Sequence, residues 1–198
     1  MKTLTMLSGR IKRLASYKTI LPAFLLFITV LILMLKGPFG SERIKELSAG
    51  LGTLDMRFLY SPSDAAELFE RLGAVGRQTY TRLLTFDFAF LMSYMMMQSL
   101  LISALIRKAN LPERWNKLNL LPILRSLLDA IENCLLLVLL SVYPVQYPAI
   151  AVIASVITTV KLGINYAYIA LVFSLGAIST RASMMKKITI TKETRQTI

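Results

Sequence analysis

Hydrophobic positions in this chain gather into four long blocks, residues 17–35, 83–106, 118–142 and 149–177, separated by more polar connections. A hydrocarbon core roughly 30 Å thick takes about 20 helical residues to cross, and each block is of that order. The blocks are continuously apolar, as in "LPAFLLFITVLILML", where a membrane strand would alternate. The pattern predicts an all-α fold: a polytopic membrane protein, built as a four-transmembrane-helix bundle and forming one domain over residues 1–198.

The first connection, 36–82, is too long for a turn and predicts structure of its own. In "YSPSDAAELFERLGAVG" Ser61 suits an N-cap, Pro62 the first helical position and Gly73 a stop. A short amphipathic helix is expected over 62–72, in the first extracytoplasmic loop, with Leu68, Phe69 and Leu72 on its apolar side and Arg71 on its polar side. It would lie on the outer membrane face or cap the bundle. Beyond Gly76 no glycine or proline interrupts a long helix. Upstream, "TLDMRFLYS" reads as extended, placing Asp55 and Arg57 on one side as a local ion pair.

Polar residues enter the blocks at helical spacing. On the third block Arg125, Asp129 and Glu132 fall at i, i+4 and i+7 with Asn133 beside them, while Leu127, Cys134 and Val138 occupy the opposite sector. Thr158, Lys161, Asn165 and Tyr168 repeat that spacing on the fourth block. On the second, Arg77, Tyr80, Leu84, Asp87, Leu91, Tyr94 and Gln98 form a stripe from the outer loop to mid-membrane. The first block offers only Thr29. A charge at the centre of a lipid-facing helix costs about 2.5–3.5 kcal/mol even on a lenient scale, so the stripes must face one another or a wet cavity.

Depth sorts the partners. Glu132 lies roughly 15 Å below the outer end of its span, and Lys161 roughly 18 Å below the outer end of the next. The expected pairs are Glu132 with Lys161, Asp129 with Arg125, and Asp87 with Arg77 or Arg82. Within the spans Asp87, Asp129 and Glu132 stand against Arg125 and Lys161, which leaves one carboxylate over.

Composition agrees with a membrane setting, at 55% hydrophobic residues and a mean hydropathy of +0.59. Charge gives orientation. The chain up to Lys18 holds five Lys/Arg and no acid, "RKANLPERWNK" four against one, and residues 181–198 five against one. These segments are expected in the cytoplasm, so both termini face inward across a plasma (inner) membrane crossed several times. The outer loop, with seven basic and six acidic residues, and the uncharged "YPVQYP" would face outward. The exit "LKGPFGSE" carries no A-x-A-like cleavage site, so the first block reads as an uncleaved anchor. The +12 net charge then adds attraction to anionic lipid headgroups. Nucleic acid is not an expected partner, because neither tail is long enough to form a basic fold with aromatic platforms.

The lone Cys134 allows no intramolecular disulfide and no CxxC pair, and is expected as a small buried hydrophobe. The absence of histidine removes His-ligated haem, His-bearing zinc sites and a histidine general base. No metal and no cofactor is expected. Met95, Met96 and Met97 read as packing or lipid contact, and Trp115, Tyr143 and Tyr147 as interfacial anchors. "GAVGR" lacks the GxxxxGK[ST] of a phosphate loop.

The candidate site is therefore Asp129, Glu132, Asn133, Lys161 and Asn165, joined by Arg125, Asp87, Tyr94 and Gln98, with Arg77, Tyr80, Asp55 and Arg57 as its outer entrance. The expected function is binding or transport of a small molecule, a lipid or a proton between the second, third and fourth helices. Ranked second is a membrane-embedded enzyme acting on a lipid or isoprenoid, with Asp129 or Glu132 as acid or base, although no nucleophile elbow, metal motif or cofactor fingerprint supports it. An accessory or assembly subunit of a membrane complex fits the size. Expected partners are membrane lipids, a small-molecule or lipid ligand, and a second copy or partner membrane subunit.

The stretches "LDMRFLYSPSDAAELFERLGAVGRQTYTRLLTFDFAF" and "LPILRSLLDAIEN" resemble a pattern found in small bacterial four-helix integral membrane proteins, most distinctively in Gly73, Gly76, Arg77 and Tyr80 with Asp129, Glu132 and Asn133. The resemblance spans about the middle half of the chain. It implies residence in a bacterial inner membrane and polar sites that belong together, and it implies no reaction.

Overall fold

The computed structural model describes the backbone of residues 2–196 and the side chains of residues 3–185. Among the described residues every regular element is helical and there is no strand. The α-helices are α1 (Lys2–Leu14), α2 (Tyr17–Lys36), α3 (Ser41–Leu47), α4 (Pro62–Lys108), α5 (Leu121–Val142) and α6 (Pro148–Gln196), with 3-10 turns at Leu54–Met56 and Glu113–Leu120. Three stretches, Tyr17–Leu47, Pro62–Lys108 and Pro148–Met185, are long and apolar enough to cross a membrane. The 22 residues of α5 have the length, but they carry Arg125, Asp129 and Glu132.

α4 is the central helix, packed against α2, α5 and α6. Its start follows local chemistry. Ser61 Oγ accepts from the Asp64 N–H at 3.1 Å while Asp64 Oδ2 accepts from the Ser61 N–H at 2.7 Å, a reciprocal cap with Pro62 just inside. The backbone breaks at Gly73, where φ 59° and ψ −171° define a conformation closed to other residues, and the helix then resumes in a new direction. The 62–72 segment thus forms a bent-over first section of α4. Leu68, Phe69 and Leu72 are buried beside Leu136, Leu139 and Leu140 of α5 and Ala151 and Ala154 of α6, so this section caps one end of the helices.

Several expectations are corrected. Residues 54–56 are a 3-10 turn and not extended, so Asp55 and Arg57 do not pair: Arg57 donates to the Leu51 carbonyl, and Asp55 lies near the Tyr80 hydroxyl. The helix of the third block begins at Leu121 rather than 118, because residues 113–120 wind as 3-10 up to Pro122 in the first turn. The fourth block continues as helix beyond 177 to Gln196, and the basic side chains after 185 lie outside the described residues. Cys134 is exposed, not buried. It follows Asn133 by one residue, about 100° around the helix, and so joins the outward face of Leu127, Ile131 and Val138.

α1 was not anticipated. Leu4, Leu7, Ile11 and Leu14 recur at helical spacing between basic residues, and this helix packs on the Glu113–Leu120 turn and on α4. Buried Asn119 donates to the Ser8 carbonyl at 3.1 Å and to Ser103 Oγ at 2.9 Å, and Lys12 pairs with Glu113 at 3.0 Å.

Candidate functional site

The polar stripes of α4, α5 and α6 meet in one buried network. Glu132 and Asn133 are 0% exposed, Lys161 2% and Asp129 3%. Lys161 Nζ donates to Asp129 Oδ1 at 2.7 Å and lies 2.5 Å from Glu132 Oε2, an ion contact that departs from hydrogen-bonding direction. Thr158 Oγ1 donates to the other oxygen of Glu132 at 2.5 Å. One turn before Asp129, Arg125 Nη1 stands 2.9 Å from Asp129 Oδ2. The i, i+3 and i+4 spacing of these residues is what puts them on one face.

Asp87 belongs to the same network by a different bond. Asn133 Nδ2 donates to Asp87 Oδ2 at 2.5 Å across the α4–α5 contact. Of the expected pairs, Glu132 with Lys161 and Asp129 with Arg125 are formed, and Asp87 with Arg77 or Arg82 is not. Ten residues separate Asp87 from Arg77, roughly 15 Å along the helix. Arg77 instead donates to the Phe69 carbonyl at 2.9 Å, beside the break at Gly73, and covers the Tyr143 ring at 4.2 Å. Arg82 is exposed on another face of α4.

Tyr94 joins all the longer helices. Its ring lies under the Arg125 guanidinium, 4.2 Å from carbon to centroid, and its hydroxyl donates to Asn165 Oδ1 at 3.1 Å. The ring also meets Phe27 of α2 at 6.2 Å, Phe90 at 5.9 Å and Tyr168 of α6 at 6.2 Å. One turn on, Gln98 is buried and its Oε1 has no protein partner.

Of the expected entrance residues, Tyr80 and Asp55 meet, and Arg57 and Arg77 do not join them. The Tyr80 hydroxyl accepts from the Leu54 N–H at 3.0 Å and donates to Asp55 Oδ1 at 3.4 Å, and Tyr80 is 0% exposed. Arg57 and Arg77 turn to loop and helix carbonyls. A cavity of about 20 Å³ between the start of α4 and the α5–α6 connection has room for about one water.

Two contributors lie outside the stripes read from the sequence, Phe27 and Tyr60. Tyr60 is buried in the same cluster as Ala65. Burial pushes its phenol up, and the charges of Glu132 and Asp55 push the same way. The signal for it was its position just before the N-cap Ser61, where an apolar residue staples onto the first turns of a helix.

Compared with known protein families, curated proteins and solved structures, the chain matches none.

Proposed function

We propose that this chain is an integral membrane protein of four spanning helices, α2, α4, α5 and α6, whose interior binds a proton and passes it between the two sides of the bilayer. Support for the membrane comes from the outward faces. Leu21, Leu25, Ile32, Leu127, Ile131, Val152, Val156 and Phe173 are all at least half exposed or close to it, large apolar side chains on three helices that a lipid surround would cover. α5 is the fourth span because its three charged residues turn inward, where they meet partners instead of lipid.

The observation that carries the proton reading is the charge count of the closed network. Arg125 and Lys161 are matched by Asp129 and Glu132, and the partner of Asp87 among the described residues is the neutral amide of Asn133. One buried carboxylate is therefore uncompensated unless the network holds a proton. A small molecule or lipid would need the helices to part around side chains that are almost wholly enclosed. A proton needs no such opening, and intramembrane carboxylates commonly serve proton relays. The same enclosure argues against an enzyme active site.

Proteoliposomes enclosing a pH-sensitive dye test this directly. An outside acid pulse should acidify the lumen faster with wild type than with Asp87→Asn, which keeps shape and removes the ionisable group. Equal rates in wild type, Asp87→Asn and protein-free liposomes would overturn the proposal.

A further inference from the structure

Away from the charged network, the start of α2 lies beside the end of α4. An open groove of about 480 Å³ lies between them. One wall is Tyr17, Ile20, Leu21 and Phe24, at i, i+3, i+4 and i+7 of α2; the other is Ala104, Arg107 and Lys108, at i, i+3 and i+4 of α4. The small Ala104 side chain leaves the space between the walls unfilled.

The apolar length of the groove ends in cations. Arg107 and Lys108 are exposed, and Arg107 spends one amine on the Ala15 carbonyl, which fixes it at the α1–α2 corner. Lys18 lies 5.9 Å from the centroid of the Tyr17 ring. α1 leads directly into this corner, with Leu4 57%, Leu7 39% and Leu14 60% exposed on one side and Arg10 and Arg13 exposed on another. Such a helix lies in the headgroup region with its leucines in the acyl boundary. Any lipid tail could fill the groove. A rim of positive charge selects among tails by what they carry, at about fivefold per cation near the surface.

We infer that this groove is a binding site for one anionic phospholipid, its tail along Ile20, Leu21, Phe24 and Ala104 and its phosphate on Arg107 and Lys108. The site rests on the membrane-spanning reading above but not on the proton reading. Occupied, it would add to the tie that Arg107 already makes between the end of α4 and the α1–α2 corner.

The test uses full-length protein extracted in detergent and offered equal amounts of phosphatidylglycerol and phosphatidylcholine with matched tails, with retained lipid counted by native mass spectrometry. Wild type should favour phosphatidylglycerol by at least about fivefold. Lys108→Gln should cut that preference by about fivefold. Ala104→Phe, which fills the groove and keeps both cations, should lose retention of the anionic lipid while melting as wild type does. Equal retention of both lipids by wild type, or unchanged phosphatidylglycerol in both variants, would overturn the site. A carbonate wash of cell membranes keeps the two readings apart: release of the chain into the supernatant would refute the membrane assignment itself, whatever lipid is counted.

Discussion

Lys161 on α6 faces Glu132 on α5 at 2.5 Å, and the same ammonium reaches Asp129 one turn away at 2.7 Å. One cation therefore holds two carboxylates, and the three substitutions that dissect the pair should differ. Lys161→Met leaves Asp129 and Glu132 to face each other with only Arg125 nearby, and should cost about 3–5 kcal/mol. Glu132→Gln leaves Lys161 its bond to Asp129 and should cost less, about 1–3 kcal/mol. The double variant should recover part of the Lys161→Met loss. Unfolding in mixed detergent checks the order, and strictly additive losses would mean the two side chains are not coupled.

The bond from Asn133 to Asp87 makes a separate prediction. Asn133→Leu removes the donor and leaves Asp87 buried against apolar side chains, which should destabilise the fold by about 1–3 kcal/mol. Asp87→Asn should be close to neutral in the same unfolding assay, because an amide can still accept from Asn133 and the uncompensated charge is gone. A large loss in Asp87→Asn would show that the carboxylate is held by more than the amide.

The charged face of α5 was legible because Arg125, Asp129 and Glu132 are expensive wherever they do not meet partners, and helical spacing alone puts them on one side. Depth then paired Glu132 with Lys161 without any structure. Asp87 was misassigned because charge was matched with charge, and the neutral Asn133, one residue from Glu132, was overlooked as a donor. Arg77 was free to be drawn elsewhere by the bend at Gly73, which turns the Phe69 carbonyl toward it. α1 escaped notice because its cations dominate the stretch and a short amphipathic helix has little net hydrophobicity. The groove was illegible altogether, since the space left between two helices is a property of packing and not of either sequence.

The reciprocal cap at the start of α4 predicts a pH effect. The Ser61 backbone N–H and then its hydroxyl donate to the Asp64 carboxylate and hold its pKa below the ordinary 3.8. A carboxyl depressed in the folded state contributes stability that is fully present above its unfolded value and fades as pH falls through the folded value. The gap in melting temperature between wild type and Asp64→Asn should therefore stay constant from neutral pH down to near 3.8, and narrow below it. A gap that widens on acidification would contradict the cap.

Orientation can be settled by labelling. The outward face is expected to carry the bend at Gly73 and the inward face the Glu113–Leu120 turn, because Arg107, Lys108, Arg114 and Lys117 flank the latter with Glu113 as the single acid. Ser48 lies in the loop expected outside but is 0% exposed, so a reporter there would be silent whichever way the chain runs. Val75, 69% exposed just past the bend, and Lys117, exposed in the turn, are the usable positions. In a Cys134→Ser background, which removes the one native thiol, Val75→Cys should react with a membrane-impermeant maleimide in intact cells, and Lys117→Cys should react only after the membrane is opened. The reverse pattern would invert the topology, and with it the side on which the lipid groove and its cations lie. Labelling of both positions in intact cells would mean that the chain does not separate two compartments.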